Sequence, residues 1–299
     1  MLQRKFLVRV LVAVLAVISS TAQTAITRAS SGTLSVGSPV DVSITSAGET
    51  ADYTFDGTQG QRVSLGVTSV ALSPSPGCCG ATLSITKPDG TQLGTATNFG
   101  TGGANYDSDP LPSTGTYGVH IVPGSNATGS FTLTLSTPVA GPTAFNSSTP
   151  VTITYPAQNT VFSFSGTAGQ RVSVGVTNVS ITPSLGSCCG GHVTIYKPDG
   201  NQLTNPSFGD GGANVDTDPL PTTGTYTVRV DAGTGTGIYT VALSSPLTGV
   251  LTEDGPGLVQ SLLPGQDVRL TFSGTTGQPM TVTFTAVTMQ TTNGLNAWI

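Results

Sequence analysis

An internal duplication constrains this chain more than any other feature. The phrases TADYTFDGTQGQRVSLGVTSV, CCGATLSITKPDGTQL, DSDPLPSTGTYGVHIV and TGSFTLTLS return in the same order as NTVFSFSGTAGQRVSVGVTNV, CCGGHVTIYKPDGNQL, DTDPLPTTGTYTVRVD and TGIYTVALS. Gly57 corresponds to Gly166, 109 residues on, and Cys78 to Cys188, 110 on. A third start, DVRLTFSGTTGQPMTVTF, places Gly274 another 108 residues further. Solenoid units are far shorter and cannot fold alone, so a period near 109 belongs to an autonomous domain. The expected layout is a first module over 37–138, a second over 147–246 and a partial third over 257–299, after a signal peptide over 1–22.

Apolar side chains alternate with period two inside each copy, which is the mark of a half-buried strand. In the first copy they fall at Val40/Val42/Ile44, Tyr53/Phe55, Val63/Leu65/Val67, Leu83/Ile85, Tyr117/Val119/Ile121 and Phe131/Leu133/Leu135. The second copy repeats the pattern from Val151/Ile153/Tyr155 to Tyr239/Val241/Leu243, with Thr, Ser and Gly between. Such strands have one wet face and one dry one, and two packed antiparallel sheets bury the dry faces. Lys87-Pro88-Asp89-Gly90 and Lys197-Pro198-Asp199-Gly200 supply turns, with Pro fixing φ and Gly accepting a positive one. The stretches around Pro138, Gly141 and Pro142, and around Pro246 and Gly249, read as short links between modules. The fold class expected is all-β, a tandem of antiparallel β-sandwiches.

Composition excludes several functions. Only 8% of residues are charged. Three of the basic ones, Arg4, Lys5 and Arg9, sit in the leader, leaving 7 basic against 15 acidic residues and a net charge of −8. Nucleic-acid binding needs a basic stripe that displaces counterions, and this chain has none. The leader itself reads as a secretory signal: Arg4 and Lys5, then an apolar run from Val10 to Ile18, then small residues that allow cleavage after Ala22 or Ala25. An uncleaved anchor is the competing reading of that segment. No later stretch is apolar enough to span a membrane, so a secreted or cell-surface protein is expected.

The phrases YTFDGTQGQRVSL, SITKPDGTQL, LPSTGTYGVHI and TGSFTLTLS, with their second-copy versions, resemble the bacterial pre-peptidase C-terminal domain family. The resemblance spans both full copies and reaches the third only through its GTTGQ region. It implies jelly-roll-like sandwiches appended to secreted proteases and other exoproteins, where they aid targeting or attachment or are removed in processing. This chain departs from that pattern by carrying no catalytic domain.

Candidate chemistry is sparse. The two histidines, His120 and His192, face Arg229 and Thr82 in the other copy, and no GxSxG or HExxH motif accompanies them. They read as exposed strand residues, and the chain as a non-enzyme. Cys78-Cys79 and Cys188-Cys189 precede the same strand in each copy. Bonds between copies would join distant points, which leaves a bond between neighbours in each pair, either as a loop staple or as a redox-sensitive or partner-linking site. Asp107-Ser108-Asp109 and Asp216-Thr217-Asp218 recur before LPxTGTY. Asp107, Asp109, Asp216 and Asp218, with Asn105, Asn214 or Asp210, could contribute oxygens to calcium, against a competing role in turn formation. No other cofactor is expected. Most Tyr and Phe residues fall on inward positions and Trp298 is close to the last residue, so sugar binding has no aromatic platform to support it.

Mapping Gly274 onto Gly166 sets Ile299 opposite Gly191, so the third copy lacks its later strands and leaves an apolar face; a fragment or truncated product is expected, the alternative being a remnant that folds against its neighbour. The function expected is an exported, non-catalytic repeat protein that binds, targets or spaces at the cell surface, its partner an extracellular polymer or protein surface. The alternative is an accessory region of a secreted enzyme whose catalytic domain lies outside this chain.

Overall fold

The computed structural model describes residues 28–74, 80–124 and 126–288, so the leader, Cys78, Cys79 and Trp298 lie outside the described residues. The first repeat contributes β1 (Arg28–Thr33), β2 (Val40–Ile44), β3 (Thr50–Gly57), β4 (Ser64–Ser73), β5 (Ala81–Thr86), β6 (Gln92–Phe99), β7 (Ala104–Asp107), β8 (Gly115–Pro123) and β9 (Thr128–Ser136). One sheet has the order β1-β3-β8-β5-β6 and the other β2-β9-β4-β7. Their inner faces close on one core that includes Tyr53, Phe55, Leu65, Leu83, Tyr117, Ile121, Phe131 and Leu133.

The second repeat follows the same plan. It contains β10 (Val139–Ala140), β11 (Ser147–Ile153), β12 (Thr160–Gly166), β13 (Ser173–Thr182), β14 (Gly191–Tyr196), β15 (Gln202–Thr204), β16 (Ser207–Phe208), β17 (Ala213–Asp216), β18 (Gly224–Asp231) and β19 (Thr236–Ser244). The sheets are β10-β12-β18-β14-β15, with β16 also on β14, and β11-β19-β13-β17. Phe162, Phe164, Val174, Ile195, Tyr226, Val228 and Tyr239 belong to its separate core. The chain is thus all-β over the described residues, and its apolar alternation has become two face-to-face sandwiches. Among those residues no helix is long and apolar enough to cross a membrane.

Two features go beyond the sequence expectation. The links contain strands: β10 pairs in parallel with β12, and β20 (Leu247–Val250) pairs in parallel with β21 (Val268–Thr271). β1 pairs in parallel with β3 at the same register, Ser30 opposite Ala51 as Val139 is opposite Thr160 and Leu247 opposite Val268. Each link therefore forms the outer strand of the module that follows it, which satisfies backbone groups that would otherwise lie on an open edge.

The second feature is a break in alternation. β3 alternates cleanly, but β4 and β13 each begin with four consecutive buried residues, and β9 and β19 each end with four. Their outer faces are covered there by the next copy. The third copy contributes only the β20–β21 pair among the described residues. Val259 is 94% exposed where its counterpart Val151 is 3% exposed, and Phe284 is 52% exposed where Val176 is 0% exposed.

Candidate functional site

The site with the most polar chemistry lies where the two modules meet, and its geometry starts from a turn. Pro156-Ala157-Gln158-Asn159 precedes β12, with Ala157 at φ 63°. Gln158 folds back so that its Oε1 accepts from the amides of Thr154 (2.9 Å) and Tyr155 (3.4 Å), while its Nε2 donates to the Thr137 carbonyl (2.9 Å). This presents Pro156 to the outer face of β4, where Gly66 leaves the space it needs. A Cβ at Gly66 would fall 2.8 Å from the Pro156 carbonyl oxygen and 2.9 Å from its Cβ.

The same device recurs one module on. Pro264-Gly265-Gln266-Asp267 meets Gly175, where a Cβ would fall 2.3 Å from the Pro264 oxygen. Gln266 Nε2 donates to the Ser245 carbonyl (2.8 Å), and its Oε1 accepts from the Leu263 amide (3.0 Å). In the first copy the corresponding residues are Ala47-Gly48-Glu49-Thr50, and Glu49 turns its carboxylate onto the Thr45 (2.6 Å) and Ser46 (2.8 Å) amides. Those bonds, led by the Ser46 amide, hold the Glu49 carboxyl below its usual value. Aligning all three copies would have exposed this P-x-Q signal. Pairwise comparison of the complete copies conceals it, because the first copy lacks the proline.

Replacing Gly66 with valine is expected to undock the modules while leaving each core intact, at a cost of about 1–3 kcal/mol. Hydrogen exchange at Val139, whose amide donates to the Asn159 carbonyl (2.9 Å), would report it. Unchanged protection at Val139 would mean that the joint does not depend on this contact.

Around the turn lies a polar cluster. Asp107, at the end of β7, accepts from Ser64 Oγ (2.7 Å) and from Asn159 Nδ2, and faces Arg229 of β18 at 3.6 Å. Asp231 accepts from Asn105 Nδ2 (2.9 Å) and from the Gly233 amide (2.7 Å). Desolvation first, then the charge of Asp107, pushes the Asp231 carboxyl up to about 7. At the next joint, Asp216 receives Asn214 Nδ2 (3.1 Å), and burial raises its carboxyl too, with Asp267 adding to the effect and Arg269 opposing it.

The residues singled out as calcium candidates divide between two environments. Asp107 is half-buried in the first joint, whereas Asp216, its counterpart at the end of β17, is exposed beside the second. Asp109 and Asp218 stay exposed and face Arg62 and Arg171, each at 3.8 Å. The residues between them have a structural role: Ser108 and Thr217 each accept from the amide of Val63 or Val172 and donate their own amide to that residue's carbonyl. Asn105, Asp107 and Asp109 do share one cleft of about 330 Å³, completed by Tyr106, Thr95, Thr97, Gly94 and Leu93. The Tyr106 phenol is pushed up to about 12 by burial and then by the charges of Asp109 and Asp107. Among the described residues no group of three or more His, Cys, Asp or Glu side chains is placed to hold a metal ion.

The histidines differ. His192 is exposed on β14. His120 is engaged: its Nδ1 lies 2.6 Å from Asp52 and its Nε2 3.0 Å from Thr86 Oγ1, across β3, β8 and β5. The order hydroxyl–imidazole–carboxylate is that of a hydrolase relay. It stands on the outer face of a sheet with Gly118 beside it, within the β5–β8 ladder, and the cleft described above does not include it. Its counterparts in the second copy are Val161, Arg229 and Tyr196, where Arg229 stacks over the Tyr196 ring at 5.8 Å. Cys188 and Cys189 are bonded to each other in the loop before β14.

No family model matches the chain, and no curated protein matches it. Among solved structures it is similar to the pre-peptidase C-terminal domain of a collagenase from Bacillus anthracis, at 15% identity over 36% of this chain and 94% of that one, with a TM-score of 0.26. It is also similar to the PBSX exported protein XepA, at 14% identity over 71% of this chain and 88% of that one, with a TM-score of 0.26. A tandem of CBM22 domains from Paenibacillus barcinonensis gives 8% identity over 64% of this chain and 82% of that one, with a TM-score of 0.22. At these scores none of the three bears on function, and the sandwich assignment rests on the strand register above.

Proposed function

We propose that this chain is an exported, non-catalytic repeat protein whose modules are joined in a fixed geometry, so that it spaces or presents a binding surface outside the cell. The joint carries the reading. A flexible tether has no use for a linker that is a strand of the next sheet, a turn fitted to a glycine, or an enclosed polar cluster, and this chain has all three at its first junction. The leader and the phrases that resemble the pre-peptidase C-terminal domain family support export and service to a larger surface. Small-angle scattering from the full chain tests the proposal: one fixed arrangement of the two modules is expected to fit the profile. A profile that requires a broad ensemble would overturn the spacer reading. Hydrolysis of ester or peptide substrates that is lost in His120→Ala would overturn the non-catalytic one.

A further inference from the structure

We propose that the Cys188–Cys189 disulfide is a thiol-exchange site, opened by a low-molecular-weight thiol and reclosed by its own second sulfur. The two half-cystines are neighbours in sequence with Cα atoms 3.8 Å apart, and both are exposed. A structural disulfide stabilises a fold by closing a loop, and its contribution grows with the length of chain enclosed. This one encloses no residue, so it ties no element to another.

The loop it sits in is already fastened by other means. Leu185 reaches the core at 9% exposure. Its amide donates to Asp210 Oδ1 (3.0 Å), Ser184 Oγ donates to Asp210 Oδ2 (2.5 Å), and the Asp210 amide donates to the Gly186 carbonyl (2.9 Å). Gly209 packs directly beneath, where a Cβ would fall 2.2 Å from the Gly186 oxygen and 2.7 Å from the Cys188 nitrogen. Asp210 and Leu185 do the stapling, and the sulfur pair stands at the solvent side of the clamp. An exposed disulfide that contributes nothing to loop closure is the kind that exchanges.

Low-molecular-weight thiol is the reactant, one molecule for exchange and two for full reduction. A thiolate attacks one of the two sulfurs, the Cys188–Cys189 bond breaks, and the other sulfur leaves as a thiolate in protonation equilibrium with water. The neighbouring thiolate then either attacks the mixed disulfide and expels the incoming thiol, restoring the ring, or waits while a second thiol carries the first away as a disulfide. The first outcome returns the site unchanged; the second leaves a dithiol.

The test uses the full chain in glutathione redox buffers, with free thiols alkylated and the peptide containing 188 and 189 read by mass, so that the Cys78–Cys79 peptide is scored separately. The pair is expected to open in millimolar glutathione without denaturant, while amide protection in β14 stays unchanged. Cys189→Ser, treated with oxidised glutathione, is expected to trap the adduct on Cys188. A bond that survives millimolar glutathione until the protein is unfolded would overturn the proposal. So would loss of β14 protection on opening, because the pair would then be a staple. The double variant Cys188→Ser with Cys189→Ser provides the independent check: a native unfolding midpoint supports the proposal, and a collapsed one refutes it.

Discussion

Replacing Asp231 with asparagine will stabilise the chain near pH 8 and remove most of the pH dependence contributed by the joint. Enclosure and the nearby charge of Asp107 push the Asp231 carboxyl up to about 7, whereas an unfolded aspartate titrates near 3.9. Between those values the folded chain binds a proton that the unfolded chain releases. The contribution of Asp231 is therefore fully present below about pH 4 and is lost as pH rises to about 7. Above that window a second negative charge sits beside Asp107, with Arg229 as the nearby compensating cation. Asparagine keeps the oxygen that accepts from Asn105 and Gly233, and its amide donates as the protonated acid does. The gain expected near pH 8 is on the order of 2–4 kcal/mol, shrinking toward zero near pH 4. Urea midpoints of the two proteins across that range measure the difference, and parallel curves would show that Asp231 does not carry the proton.

The other large effect is expected in the second core. Tyr226 is fully buried, its hydroxyl donates to the Thr222 carbonyl (2.7 Å), and its ring stacks on Phe164 with centroids 5.3 Å apart. Tyr117 repeats both contacts with Ser113 (2.7 Å) and Phe55 (5.3 Å). Tyr226→Ala removes the ring and leaves a cavity, at a cost of about 3–5 kcal/mol. Tyr226→Phe keeps the packing and leaves one carbonyl without its donor, at about 1–2 kcal/mol. The loss should appear in the second module's unfolding transition, with protection in β3 and β8 retained. Equal losses in both modules would mean that they unfold as one cooperative body.

Much of this architecture was legible in the sequence. Val119, Ile121, Leu133 and their second-copy counterparts alternate with polar neighbours, and period two is sufficient to fix which face is dry. The joint was not legible, because its outer-face residues obey no local rule. Gly66 and Gly175 look like ordinary strand glycines, and only the fitted proline explains them. The strand character of the links was hidden for a related reason: Val139-Ala140 and Leu247-Thr248-Gly249-Val250 are too short to show a period. Asp107 and Asp109, separated by one residue, looked like a shared ligand pair. They do line one cleft, with Asp107 held at the end of its strand by Ser64 and Asp109 lying 3.8 Å from Arg62.

Because each link is the outer strand of its successor, the borders between modules are shared territory. A second module cut at its first sheet-forming run after residue 146 would lose β10 and bare one flank of β12, so an excised domain needs the tail of its predecessor to be whole. During synthesis the same overlap imposes an order. Every strand of the sheet that carries Gly66 precedes Pro156 in the chain, so the glycine face emerges from the ribosome before the proline turn that fits it.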